Sequence, residues 1–316
     1  MPKVNIISLG QIVADIVVHP VDGFPRVGTT DSVDRIDIRC GGCGLNTAMV
    51  LTKLGVPTAV VGKIGCDTFG EHLLRKMVEL GLDVRGVRQE QNTRTSSVIV
   101  LISSTGERSF LYAEGGNEAI RLEDVDLSLL QEAQILHIGG IMKLPKLRAA
   151  DVLKQAKEFG LVTSMDTDWD SSGKWLEKIQ DSLEYVDLFM PSLDEARLIS
   201  GQEEPEHLAK FFFDYGVKTF ILKMGDQGCY INNQQQEWVL PAYQVKVVDT
   251  TGAGDAFVGG FLAGYVQGWT LAECGRLANA CGASCVTQVG TTEGIVDMTR
   301  MLEFTNQASV SGKLGH

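Results

Sequence analysis

No apolar run in this 316-residue chain approaches the roughly 20 residues a membrane helix requires, which excludes a spanning helix as its organising element. A signal-peptide pattern is missing too. Met1-Pro2-Lys3-Val4 opens directly into a strand-like run, so a cytoplasmic location is expected. Positive charge is scarce: 28 Lys and Arg face 40 Asp and Glu, giving a net charge of −12 and a pI near 4.9. That balance argues against a nucleic-acid surface, and it means that an anionic substrate needs local neutralisation, a task suited to Mg²⁺. The seven cysteines are odd in number and lack disulfide-framework spacing, as expected of free thiols in a reducing compartment. Cys40-Gly41-Gly42-Cys43 has the C-x-x-C form, but no second pair with zinc-finger spacing answers it, so no redox or zinc site is assigned. Internal repeats, low-complexity segments and linker-like shifts in composition are also lacking, and residues 1–316 read as one domain.

Two familiar nucleotide signatures are missing as well. A Walker A loop needs Gly-Lys-Ser/Thr after four spacer residues, and a dinucleotide fingerprint needs glycine where Phe257 stands. What is present instead is Asp249-Thr250-Thr251-Gly252-Ala253-Gly254-Asp255-Ala256-Phe257. The β-branched run Val245, Val247 and Val248 predicts a strand before it. Phe257, Phe261, Leu262 and Tyr265 recur at helical spacing after it. A helix entered through Gly252, Ala253 and Gly254 presents first-turn N–H groups to an anion with no bulky side chain in the way. Asp255, which the helix dipole is expected to keep ionised, could accept a proton from a hydroxyl beside a bound phosphate. This pairing suits phosphoryl transfer, in which catalysis is mostly positioning and charge stabilisation. The bland alternative is a tightly packed helix start with a first-turn acid.

The rest of the chain reads as alternating strands and helices. Val4 to Leu9 is a buried strand ending at Gly10, with Asp15 shortly after it. Residues Ile16 to Cys40 alternate like half-exposed antiparallel strands. Ser96 to Ser103 and Ser109 to Ala113 form a hairpin around Thr105-Gly106-Glu107, so segments of about 14–40 and 94–115 are expected to build a small β-sheet lid. Gly41-Gly42-Cys43-Gly44-Leu45-Asn46-Thr47-Ala48 is a second glycine-rich helix entrance, running on through Leu54. Asn46 there either caps the helix or contacts a ligand hydroxyl.

Val60–Ile64, Ile135–Ile138, Leu161–Met165, Leu188–Met190 and Phe220–Leu222 read as strands. Thr68–Leu80, Lys146–Phe159, Ser192–Ile199 and Leu271–Val289 read as helices, and the tail after Thr305 is expected to be mobile. The acids of Asp166-Thr167-Asp168-Trp169-Asp170 sit at a strand end, where they belong either to a site or to a solvated loop. Lys223 either touches a phosphate or is an ordinary exposed lysine at a turn. Repeated βα units imply an α/β class with a three-layer α/β/α core around a mostly parallel sheet.

The two glycine motifs together resemble those of the ribokinase-like (PfkB) carbohydrate kinases. Gly41 to Ala48 meets the Gly-Gly-x-Gly-x-Asn-x-Ala pattern, and Asp249 to Asp255 the Asp-Thr-x-Gly-Ala-Gly-Asp pattern, in that order and about two hundred residues apart. The resemblance spans nearly the whole chain. It implies transfer of the γ-phosphoryl of ATP to a sugar hydroxyl, with Asp255 as base and Gly252, Ala253 and Gly254 as anion hole. It further implies substrate contacts from Asp15, Gly41, Gly42 and Asn46, and nucleotide contacts from Lys223, Gly225, Gly228 and Asn279. Glu195 would serve Mg²⁺ indirectly, Asp249 and Thr251 would help to bind a monovalent cation such as K⁺, and homodimerisation through the lid occurs in some relatives.

Departures refine this. The family's Asn-x-x-Glu appears as Ser192-Leu193-Asp194-Glu195, in which Glu195 is kept. Cys43 stands where lysine often marks phosphosugar kinases, and residues Asp166 to Asp170 lack the arginine of relatives that bind sugar acids. A small neutral sugar, fructose-like or ribose-like, is therefore the expected acceptor. A nucleoside kinase of the same fold and a non-catalytic sugar or nucleotide sensor are the alternatives. Arg108, in the lid hairpin, either contacts a substrate anion or lies exposed.

Overall fold

A computed structural model describes residues 4–307 of the chain. Thirteen strands form two sheets. The first strand, β1 (Ile6–Gly10), is buried throughout, as its unbroken apolar run requires. Two strands of the small sheet follow, β2 (Val13–His19) and β3 (Arg35–Gly41), and then β4 (Thr58–Gly65) and β5 (Asp83–Glu90) of the large one. The hairpin β6 (Ser97–Ile102) and β7 (Arg108–Ala113) completes the small sheet. The chain then returns to the large sheet with β8 (Ile135–Gly139), β9 (Val162–Met165), β10 (Leu188–Phe189) and β11 (Thr219–Lys223), and ends it with the antiparallel pair β12 (Cys229–Asn232) and β13 (Glu237–Leu240).

The large sheet has the order β13-β12-β11-β10-β9-β8-β1-β4-β5 and is parallel from β11 to β5. From β1 the chain builds outward on one side through β4 and β5, and later on the other side from β8 to β11. The order therefore reverses between β1 and β8, and in open α/β sheets a ligand crevice opens at such a point, beyond the carboxyl ends of the strands. Gly10 and Gly139 face each other there.

Helices of eight residues or more are α1 (Cys43–Lys53), α2 (Thr68–Glu79), α3 (Ala149–Glu158), α4 (Leu193–Ser200), α5 (Pro205–Asp214), α6 (Ala253–Val266), α7 (Leu271–Cys285) and α8 (Met298–Gln307). They cover the large sheet on both faces, with separate apolar clusters on either side of it. The N-terminus of α1 is drawn onto the switch point because Gly44 packs directly on Gly10: a Cβ on Gly44 would lie 2.7 Å from the Gly10 Cα. The sheet's central helix is α6. It is buried on all sides from Asp255 to Gly264, with Gly259 against Val50 of α1 and Gly260 against Cys281 of α7.

The small sheet has the order β3-β2-β6-β7. Its register places Asp15, Arg39, Val98 and Tyr112 on one face, and Ile16, Ile38, Ile99 and Leu111 on the other. The first face looks onto α6 and its entry loop. The second is open to solvent.

The β-branched run at Val245, Val247 and Val248 is not a strand. It follows β13, the edge of the sheet, but pairs with no strand: the Val248 N–H goes to the Val286 carbonyl, and Val247 and Val248 are exposed. The predicted helix over Leu271–Val289 stops at Cys285, because the Val286 carbonyl is taken by the N–H groups of Val248 and Asp249 and the chain turns back over the α6 entry. Thr305 belongs to α8, and the rest of the tail expected to be mobile lies outside the described residues after Gln307. No helix among the described residues is long and apolar enough to cross a membrane.

Candidate active site

The entry to α6 is fixed from two sides. Gly252 is its N-cap with φ +77, and a Cβ there would fall 2.5 Å from the Thr291 carbonyl oxygen, so only glycine fits. Asp249 anchors the loop: its Oδ1 accepts from the Thr251 N–H at 2.7 Å and its Oδ2 from the Gly290 N–H at 2.8 Å. The Cys285 thiol donates to the Thr291 carbonyl at 3.1 Å. Held in this way, the first turn of α6 directs its N–H groups into the crevice. Ala253 is the exception, since its N–H turns back onto the Thr250 carbonyl at 3.3 Å. The cradle expected of Gly252, Ala253 and Gly254 thus rests on the other first-turn groups. Gly254 leaves the space above it open, with the Lys223 Nζ 3.5 Å from where a Cβ would stand.

Asp255 lies in that first turn and is buried. Asn46, from α1, donates its Nδ2 to Asp255 Oδ2 at 2.8 Å, which makes Asn46 a side-chain partner of Asp255 and leaves the capping alternative aside, because α1 has no side-chain cap. The helix dipole expected to keep Asp255 ionised is opposed here by burial. Burial, aided by the Glu195 charge, raises its pKa above the ordinary carboxylate value despite Asn46, Lys223 and Cys43. Asp15 comes from β2 and rests on Gly41, where a Cβ would meet its Oδ2 at 2.2 Å. Burial and the nearby Asp255 charge push its pKa to about 7, opposed by Arg39. Gly42 (φ +93) packs on the Gln11 carbonyl and caps α1.

Two arginines of the small sheet reach the α6 entry. Arg108, at the start of β7, pairs with Asp249 and also donates to the Thr251 hydroxyl. Arg39, on β3, donates to the Val289 carbonyl at 3.1 Å. Arg108 is therefore neither solvent-exposed nor set against open substrate space. It already occupies the two side chains assigned to a monovalent cation, both oxygens of Asp249 being engaged. These residues do not fit a K⁺ site as they stand.

On the other side of α6, Lys223 at the end of β11 is largely buried, 3.7 Å from Asp166 Oδ2. Burial works against its charge, but Asp166, Glu195 and Asp255 raise its pKa and keep it cationic. Asp166 itself is raised to about 7, because burial outweighs the attraction of Lys223. This strand end is no solvated loop: Asp166 Oδ1 accepts from the Gly140 N–H at 2.7 Å, Asp168 from Gln11 at 2.7 Å, and Asp170 pairs with Lys178 at 2.6 Å. Glu195 closes a capping box with Ser192, and its Oε2 accepts from the Ser192 N–H and the Thr167 hydroxyl. No three ligating side chains cluster among the described residues.

Beside Lys223 a cleft of about 460 Å³ runs past Gly225, Gly228, Gly254 and Asn279 to Tyr243 and Val247. The residues expected to hold a nucleotide thus line one cavity that opens onto the α6 entry. Asn279 serves its wall, donating to the Leu240 and Pro241 carbonyls at 3.1 Å each. Two of the misread valines, Val245 and Val247, belong here as apolar lining. Sequence patterns did not single out Gln11 or Arg39. Gln11 carries only the weak signal of following the first strand's terminal glycine, and Arg39 carries none.

A helix-entry anion cradle, a carboxylate one residue beyond it, a buried lysine and a cleft leading to them define a phosphoryl-transfer site on an α/β switch point. The pfkB family carbohydrate kinase model matches residues 3–298, and the chain belongs to that family and is a sugar kinase. It is 33% identical to a probable fructokinase-5 of Arabidopsis thaliana, across 90% of this chain and 92% of that protein. An Arabidopsis thaliana ribokinase solved with ribose and ATP superposes with a TM-score of 0.82 at 26% identity, covering 96% of this chain and 99% of that one. An Escherichia coli protein provisionally named Ribokinase II, solved with ATP and Mg²⁺, has a TM-score of 0.86 at 25% identity, with coverage of 96% and 99%. The fold is ribokinase-like, as the paired motifs implied.

Proposed function

We propose that this protein transfers the γ-phosphoryl of ATP to a hydroxyl of a small neutral sugar, fructose-like or ribose-like. The observation that carries this reading is the position of Asp255, between the α6 anion cradle and Asn46, within one turn of the nucleotide cleft. Relatives named for fructose, and a neighbour solved with ribose and ATP, support the substrate class.

In this reading ATP enters beside Tyr243 and Val247, and its phosphates point at the α6 entry and Lys223. The acceptor hydroxyl lies against Asp255, which takes its proton as the bond to phosphorus forms, while ADP leaves along the cleft. The first-turn N–H groups and Lys223 meet the charge that develops on the transferred group. Mg²⁺ fits a site without a preformed cage, since it arrives on the triphosphate and keeps its waters; Glu195 and Asp166 would face it. When bound, it neutralises phosphate charge.

The small sheet acts as a lid that brings Asp15 to the sugar and excludes water. Its open face, with Ile36, Ile38, Ile99 and Leu111 exposed, supports homodimerisation through the lid. The free cysteines support a cytoplasmic location. A nucleoside acceptor is the second reading, favoured by the exposed Phe110 on the inner face of the lid, where a base could stack.

The test is a coupled ATP/Mg²⁺ assay over fructose, ribose, sugar acids, phosphosugars and nucleosides, with and without potassium. Turnover of a neutral sugar is expected, with little potassium stimulation because the Arg108 guanidinium already neutralises Asp249. Turnover confined to nucleosides, phosphosugars or sugar acids overturns the neutral-sugar reading.

A further inference from the structure

Among the described residues, four buried side-chain atoms have no hydrogen-bond partner, and two of them, Asn46 Oδ1 and Asp168 Oδ1, stand at the switch point. Leaving such atoms unpaired is costly in a folded core, and a ligand hydroxyl relieves the cost. Asn46 already belongs to the site described above, its Nδ2 bonded to Asp255. Asp168 has no part in the chemistry described above.

Asp168 follows β9. Its Oδ2 accepts from Gln11 Nε2 at 2.7 Å, and the same amide nitrogen donates to the Gly140 carbonyl at 2.9 Å, so one glutamine ties the carboxyl to the ends of β1 and β8. Glycine at position 140 makes room for this: a Cβ there would stand 2.1 Å from Gln11 Nε2 and 3.1 Å from the Cβ of Cys43. Cys43 in turn lies beside Asp255. Cys43 lies close to both carboxyls, so the unpartnered Oδ1 belongs to the same end of the strands as Asp255.

We propose that Asp168, held by Gln11, is a specificity-determining residue that hydrogen-bonds a sugar hydroxyl other than the one Asp255 serves and disfavours an anionic group at that position. The proposal rests on the sugar-kinase reading and deepens it. Its Oδ2 is already satisfied by Gln11, so the unpartnered Oδ1 is the atom left to meet a sugar hydroxyl. An acid group brought there would meet Asp166 and Asp168 with no arginine to answer it.

The test compares the parent with Asp168→Ala, Asp168→Asn and Gln11→Ala, using fructose, ribose and gluconate as probes. Calorimetry reads sugar binding and the coupled assay reads turnover. Asp168→Ala is expected to raise the neutral-sugar Kd and KM about tenfold, with kcat and the ATP KM within about threefold of the parent. Asp168→Asn, which keeps the shape and a hydrogen-bonding atom, should return the sugar KM to within about threefold, and Gln11→Ala should shift it in the same direction as Asp168→Ala. The preference for fructose or ribose over gluconate should narrow in Asp168→Ala. If the parent binds and phosphorylates a neutral sugar and Asp168→Ala matches it, the assignment fails alone. If Asp168→Ala weakens ATP as much as sugar and Asp168→Asn does not rescue it, the residue is structural. A parent that neither binds nor phosphorylates these sugars removes the fructose-like or ribose-like acceptor reading and this assignment together.

Discussion

Asp255 and Asn46 show how a single side chain in this site answers to several pressures at once. The carboxylate sits at the positive end of α6, yet burial makes its ionised form harder to reach, and Asn46 and Lys223 only partly offset that. Turnover should therefore climb as pH rises through this raised pKa. Asp255→Asn keeps the shape and removes the proton acceptor. Its kcat is expected to fall by about a hundredfold or more, with the sugar Kd within a few-fold, because the loss is felt in the transition state. Steady-state kinetics paired with calorimetry check this, and a variant with parental kcat would take the base role away from Asp255. The residues that the motifs picked out, from Asp249 to Asp255 and from Gly41 to Asn46, were legible because their spacing is local. Arg108 and Asp168 were not, since only the topology reveals that Arg108 reaches Asp249 and Asp168 reaches Gln11.

At the scale of elements, the critical junction is the turn into α6. Gly252→Ala forces a left-handed backbone onto a residue with a Cβ and drives that Cβ into the Thr291 carbonyl. The expected outcome is a drop in melting temperature together with a loss of ATP-dependent turnover exceeding that of Gly225→Ala, which has open space around it. Thermal melts and rates on the two variants decide it. Equal behaviour would mean that the α6 entry tolerates displacement. Long amphipathic helices such as α2 and α3 could be read from periodicity, because each is specified within its own length. The valines before Gly252 misled for a physical reason: β-branching favours a strand only when the backbone joins a ladder, and here the Val248 N–H is taken by the Val286 carbonyl after α7. The last long helix was read too far because Val286 is claimed by a backbone contact distant in sequence.

Across the whole molecule, the site concentrates acids whose folded pKa values exceed the unfolded one: Asp15 and Asp166 at about 7 and Asp168 at about 8. Carboxyls raised in this way hold protons that the unfolded chain has released, so their contribution to stability is complete below the unfolded pKa and disappears as pH rises through the folded values. His137, pushed down to about 3 by burial, works in the opposite sense, favouring the fold as pH rises toward the ordinary histidine value. The two effects separate above about pH 6.5, where only the acids still titrate. The unliganded protein is expected to lose a few degrees of melting temperature between about pH 6.5 and 8.5. Scanning calorimetry without ligands tests it, and a flat or rising trend would contradict the raised values.

The small sheet is a single layer with no core of its own beyond a few valines and one isoleucine. Its inner-face arginines and its outer-face isoleucines therefore hang from the same four strands, so pressure applied from outside is transmitted to the turn at Gly252 without an intervening layer to absorb it. Whatever covers Ile36 and Ile38 holds, through Arg39 and Arg108, a lever on the phosphate cradle.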